Sequence, residues 1–223
     1  MIAQNYQNVI KKMALASEKY GVSIPELLAV SKKKPASAVA ELYAQGQRHF
    51  GESYAQEGVE KVEQLQLHND IVWHFIGPVQ SNKTRMIASH FDWVQSVERE
   101  KILLRLNQQR PDGLPPLQVL LQMKIGDERS KSGADKNTLL DLLELGSQLE
   151  HITIRGLMCI PPPADSQSQQ RAYFEQAQQF YHQHQQRFGM DVLSMGMSND
   201  FEMAIACGST MLRIGTELFG ARE

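Results

Sequence analysis

The sequence predicts an α/β fold: a single closed (β/α)8 barrel of TIM type with an N-terminal helix, read as one domain over residues 1–223. Three observations lead there. Eight short apolar runs alternate with longer helical patterns along the chain. Several runs are apolar on both faces, as strands between a core and a helix layer must be. A count of eight points to a sheet closed on itself. A doubly wound open sheet is the alternative, since strand order is not written in one sequence. No GxGxxG or GxxxxGK[ST] follows the first run, which counts against a nucleotide-binding open sheet.

The first 21 residues lack a compact apolar segment and a cleavage site, so they read as a helix of the mature protein rather than a leader. The expected strands are 27–32, 48–51, 72–77, 93–97, 118–125, 153–160, 192–198 and 211–220. Helical patterns fill most gaps. One runs over 36–46 with Gly46 as its C-cap, and others lie within 53–67, 98–109, 137–149 and 169–188. The last is rich in glutamine, yet Phe174, Ala177, Tyr181 and Phe188 keep a helical stripe, which marks a solvated surface helix. Prolines at Pro115–Pro116 and Pro161–Pro163 punctuate strand edges.

Composition narrows the partners. A formal charge of -2 gives no electrostatic case for nucleic acid or an anionic membrane. No apolar run approaches the roughly 18 residues of a membrane helix. Cys159 and Cys207 are too few and too far apart for a disulfide framework or a CxxC site, and they fit a reduced compartment. The expectation is a soluble, cytoplasmic protein.

In a parallel barrel the chemistry sits at the C-terminal ends of the strands. The first strand ends in Ser31-Lys32-Lys33-Lys34-Pro35, where period-two alternation puts Val30, Lys32 and Lys34 on one face. If Val30 faces inward, Lys32 follows it. Desolvation then lowers its pKa and supplies a neutral amine for a Schiff base. The alternative is a basic loop in solvent. The seventh strand ends near Ser198, and Asn199 with Glu202 has capping spacing for a helix opening at Phe201, a place suited to phosphate. In the eighth strand Arg213 and Gly215 share a face, and Gly215 with Thr216 can offer donors to a phosphate. A buried Arg213 needs a partner, and a carboxylate inside the barrel is one solution. His74 in the third strand could pack against a flat ring or be a satisfied core residue. The segment 127–133 is a donor-rich loop. His182 and His184 are two apart on a helix and do not form a metal site. No nucleophile–base–orienter triad appears.

The motifs AVSKKKP, HFGESYAQE, WHFIGPVQSNK, KSG, RGLMCIPP, SMGMSND and STMLRIGTELFGARE, in this order, resemble those of the pyridoxal-phosphate homeostasis proteins. That family is similar in fold to the N-terminal barrel of alanine racemase. The resemblance implies that Lys32 forms the internal aldimine with pyridoxal 5′-phosphate, that Arg213 faces the pyridine nitrogen, and that Ser198, Gly215 and Thr216 hold the phosphate. It also implies that His74 and Met158 lie near the cofactor. One departure is Ser53, where the family carries asparagine, and Ser53 is left outside the expected binding set.

Arginine only donates hydrogen bonds, so it leaves the ring nitrogen unprotonated and the electron sink weak. This argues against strong carbanion stabilisation but not against modest racemisation, since alanine racemase has the same arrangement. The sequence also ends soon after the eighth strand, with no second domain to supply an opposing acid–base group. The expectation is therefore a monomeric binding protein for cellular pyridoxal phosphate, without robust catalytic activity, with apoenzymes as candidate recipients and Lys34 as a candidate aid to transfer. The alternatives are a low-rate amino-acid racemase and a phosphate-binding barrel without this cofactor.

Overall fold

A computed structural model describes residues 1–126 and 132–220. Its elements run α1 (Ile2–Tyr20), β1 (Glu26–Val30), α2 (Ala36–Tyr43), β2 (His49–Glu52), α3 (Ala55–Gln64), β3 (Val72–Phe75), α4 (Thr84–His90), β4 (Trp93–Val97) and α5 (Glu100–Gln109). They continue with β5 (Leu117–Met123), α6 (Lys136–Gly146), β6 (Ile152–Cys159), α7 (Gln167–Phe188), β7 (Val192–Ser194), α8 (Phe201–Ala206), β8 (Met211–Ile214) and α9 (Thr216–Phe219). Each strand pairs in parallel with the next, and β8 closes on β1 with Leu28 opposite Arg213. The closed barrel of the sequence reading stands, and the open sheet is excluded.

Two apolar layers hold it. The larger fills the space between strands and helices, with Phe50, Phe75, Phe91, Leu103, Leu106 and Phe174 fully buried. The smaller joins Leu28, Trp93, Leu120, Met158, Val192 and Met211. These come one each from β1, β4, β5, β6, β7 and β8, and side chains from six strands of a closed barrel meet only on its axis. The interior is thus a packed core rather than a pore.

Several boundaries differ from the sequence reading. The apolar run 211–220 is not one strand: β8 stops at Ile214, and Leu218 belongs to the short helix α9. Periodicity cannot separate a strand from a following helical turn when both are apolar. β7 ends at Ser194 rather than at residue 198. α2 ends at Tyr43 with Ala44 as C-cap, so Gly46, at φ 102, serves the following turn instead. The N-cap of α8 is Asp200, whose Oδ1 accepts from the Met197 N–H. Glu202 reaches Lys19 on α1 rather than back to Asn199. Most of the donor-rich loop 127–133 lies outside the described residues. Among the described residues, no helix is long and apolar enough to cross a membrane.

Candidate functional site at the barrel mouth

Lys32, the first of the expected site residues, is set by a turn. β1 stops at Val30, and residues 31–34 form a turn closed by the Lys34 N–H on the Ser31 carbonyl at 3.0 Å. Lys33 takes a left-handed φ of 61, the one such non-glycine residue described. The strand alternation therefore ends before the lysines, and the expectation that Lys34 shares the face of Lys32 is corrected. Lys32 enters the mouth cavity, whereas Lys34 is not among its lining residues. Lys33 is exposed and lies over the Tyr54 ring.

A buried charge cluster fixes this turn from below. Lys61 on α3 donates to the Ser31 carbonyl at 2.8 Å, to Glu52 Oε1 at 2.8 Å and to Glu57 Oε1 at 2.7 Å. The Ser31 hydroxyl donates to Glu52 Oε1, and the Lys33 N–H donates to Glu57. Glu52 is 0% exposed and Lys61 4%. Burial pushes the Glu52 carboxyl up, against the pull of the Lys61 ammonium. The cluster clamps the backbone on both sides of Lys32.

The cavity itself has a volume of about 450 Å³. Lys32, Arg213, Gly215, Thr216, Ser198 and Asn199 contribute its polar wall, with Val30, Ile76, Ile160 and Met197 as apolar surface. Five of the seven residues expected from the sequence thus come together here: Lys32, Ser198, Arg213, Gly215 and Thr216. His74 and Met158 do not reach the wall. Met158 is fully buried in the axial core layer, and His74 is fully buried beneath the mouth, stacked on Trp93 at 5.1 Å. Ser53, set aside in the sequence reading, does line the cavity, as do Asn199 and Ile160. Asn199 belongs to the helix start whose capping spacing suits a phosphate, and Ile160 sits at a strand end followed by prolines; these are the signals that point to them.

Arg213 forms part of the cavity wall while remaining 4% exposed. Its Nη1 donates to Ser194 Oγ at 2.8 Å and its Nη2 to the Cys159 carbonyl at 2.9 Å. Both partners are neutral, so the carboxylate partner weighed from the sequence is replaced by a hydroxyl and a carbonyl. Burial pulls the guanidinium below its usual range, but an arginine starts so high that it stays protonated. Burial pushes the Cys159 thiol up to about 12, which removes it as a nucleophile.

Gly215 follows β8 and caps α9, and a Cβ there would sit 3.2 Å from the Val30 carbonyl. The missing side chain lets β8 and β1 close up at the mouth while leaving the backbone open to a ligand. The first N–H groups of a helix have no partner within it, so the Thr216 end of α9 presents donors beside its own hydroxyl. The loops after β7 and β8 are where parallel barrels commonly hold phosphate. A larger groove of about 650 Å³ lies outside the mouth between α1, α7 and α8. Its lysines, Lys12 and Lys19, are already paired with Glu217 and Glu202. Among the described residues there is no cluster suited to a metal ion.

An amine, a guanidinium and two donor loops at the mouth of a (β/α)8 barrel define a barrel of the alanine racemase N-terminal type, and the family model described as alanine racemase, N-terminal domain, matches residues 2–223. Pyridoxal phosphate homeostasis proteins of Vibrio cholerae and Escherichia coli K12 are each 48% identical to the chain, covering 100% of it and 97% of themselves. PipY of Synechococcus elongatus, solved with PLP bound, superposes with a TM-score of 0.84 at 38% identity, over 99% of this chain and 100% of its own. Alanine racemase of Corynebacterium glutamicum matches with a TM-score of 0.66 at 17% identity over 99% of this chain and 60% of its own, which shows the shared fold. The chain belongs to the pyridoxal phosphate homeostasis protein family.

Proposed function

We propose that the chain binds pyridoxal 5′-phosphate in the mouth cavity, held on Lys32 as a lysine aldimine, and serves the intracellular homeostasis of the cofactor. The observation that carries this reading is the placement of Lys32 and the fixed Arg213 in the wall of one cavity, with the Ser198 and Gly215–Thr216 segments beside them. The donor set fits the cofactor's chemistry: an amine for the aldehyde, a donor-only guanidinium for the ring nitrogen, and hydroxyl and N–H groups for the phosphate. The relatives' names and the PLP-bound PipY support the same assignment.

When bound, pyridoxal phosphate supplies an electron sink whose strength depends on protonation of its ring nitrogen. Arg213 offers no proton-accepting partner to keep that nitrogen protonated. Glu217 is the carboxylate in the described cavity wall, and it is paired with Lys12 of α1. The first weakens strong carbanion chemistry and the second leaves that carboxylate engaged, which together favour storage and release over fast turnover. A monomer that hands the cofactor to apoenzymes is the working form of this reading.

Titration of the apo chain with pyridoxal phosphate, followed by absorbance, should give one tight site per chain that an added amino acid empties. Chiral analysis of the same mixture with L-alanine should find no D-alanine above the free-cofactor background. Sustained formation of D-alanine would overturn the homeostasis reading in favour of a low-rate racemase. No binding at all would leave a phosphate-binding barrel of different chemistry.

A further inference from the structure

Arg213 is the upper end of a hydrogen-bond chain that crosses the barrel interior. Below it, Ser194 Oγ donates to Gln95 Oε1 at 2.8 Å. Gln95 Nε2 meets His74 Nδ1 at 3.0 Å, and His74 Nε2 meets His49 Nδ1 at 2.9 Å. The five side chains come from β8, β7, β4, β3 and β2, and all except the half-buried His49 are buried.

The chain has one direction, and Arg213 sets it. A guanidinium can only donate, so Ser194 Oγ must accept from it and send its own proton onward. Gln95 then spends its carbonyl on Ser194 and turns its NH₂ to His74, with Met211 Sδ also beside that nitrogen at 3.2 Å. A ring nitrogen that receives an N–H carries a lone pair. His74 is therefore neutral, with its proton on Nε2, and donates to His49. Full burial, with His49 adjacent, holds the His74 imidazole well below its usual pKa and agrees with the neutral form. Trp93 stacks on the ring at an interplanar angle of 17°.

We propose that Ser194, Gln95 and His74 are positioning residues for Arg213: the oriented chain locks the guanidinium plane, so that its remaining N–H groups face a ring nitrogen bound in the mouth cavity. This rests on the proposed function for the identity of the ring. It gives His74 a role at the cofactor without contact, through three hydrogen bonds.

The test uses the full-length chain, with Ser194→Ala and Gln95→Leu as variants. Nitrogen-15 NMR of the apo wild type should show His74 with Nε2 protonated and Nδ1 bare. Each variant should bind pyridoxal phosphate about tenfold more weakly, the loss expected when one charge-assisted hydrogen bond is loosened. The absorption band of the bound cofactor should also shift, which a general loss of stability does not produce. Ser194→Ala removes a single oxygen atom and keeps the test available if Gln95→Leu folds poorly. A proton on His74 Nδ1 in the wild type overturns the proposal, as does an unshifted band with affinity changed less than about twofold in both variants. A wild type that fails to bind the cofactor overturns the proposed function, and the relay's role with it.

Discussion

Replacing Lys61 by methionine is expected to destabilise the apo fold by about 3–5 kcal/mol, because it strands a buried carboxylate. Glu52 is 0% exposed, and its Oε2 has no hydrogen-bond partner among the described residues, so Lys61 and Ser31 on Oε1 are what compensate its charge. Methionine has similar length and no donor. The penalty should depend on pH. Without Lys61 the folded-state pKa of Glu52, already raised by burial, rises further above its unfolded value. The folded chain then binds more protons than the unfolded one, so stability falls as pH rises through the folded pKa. Urea unfolding should therefore show a larger loss at pH 8 than at pH 5. The double variant Glu52→Gln/Lys61→Met should recover most of it, since the stranded charge is gone. A loss below about 1 kcal/mol at pH 8 would mean the cluster is not the anchor described. Because the same lysine holds the Ser31 carbonyl, the single variant should also trap less cofactor on Lys32.

Gly156→Ala is expected to cost about 4 kcal/mol or more, with a drop in Tm of about 10 °C or more. Gly156 lies in β6 at φ 151, and a Cβ there would fall 1.8 Å from the Val192 carbonyl of β7. The register shift between β5 and β6 falls beside it, with Val119 opposite Ile154 but Leu120 opposite Gly156. This irregularity leaves Arg155 as the extra residue on β6 and sets which residues beyond it face the axis. The consequence reaches the site, because β7 is only three residues long and carries Ser194, while the Cys159 carbonyl at the end of β6 holds Arg213. Gly189→Ala is the control. It caps α7 at φ 64 with nothing within 4 Å, so it should cost only the about 1–2 kcal/mol of a left-handed alanine. Equal melting temperatures for the two variants would contradict the account.

The barrel was legible because its strands alternate with amphipathic helices, and this pattern does not depend on strand order. The mouth was legible because strand ends carried polar residues where a core should continue: Lys32, Ser198, Arg213 and Thr216. Period two assigns a face but not a depth along the axis. That is why His74 and Met158, correctly placed in strands, lie beneath the cavity instead of in its wall. Lys34 was misplaced for a related reason, since the alternation was carried past Val30 into a turn that the buried cluster around Lys61 imposes. The hydrogen-bond chain below Arg213 was invisible. Gln95, Ser194 and His49 are polar residues in three separate strands, and only closure of the barrel brings them together.

Borohydride reduction of the chain mixed with pyridoxal phosphate, followed by peptide mass mapping with Lys32→Ala as control, tests the central claim most directly. The account predicts one pyridoxyl adduct on Lys32 that disappears in the variant. An adduct spread over exposed lysines such as Lys33, or none on Lys32, would contradict it.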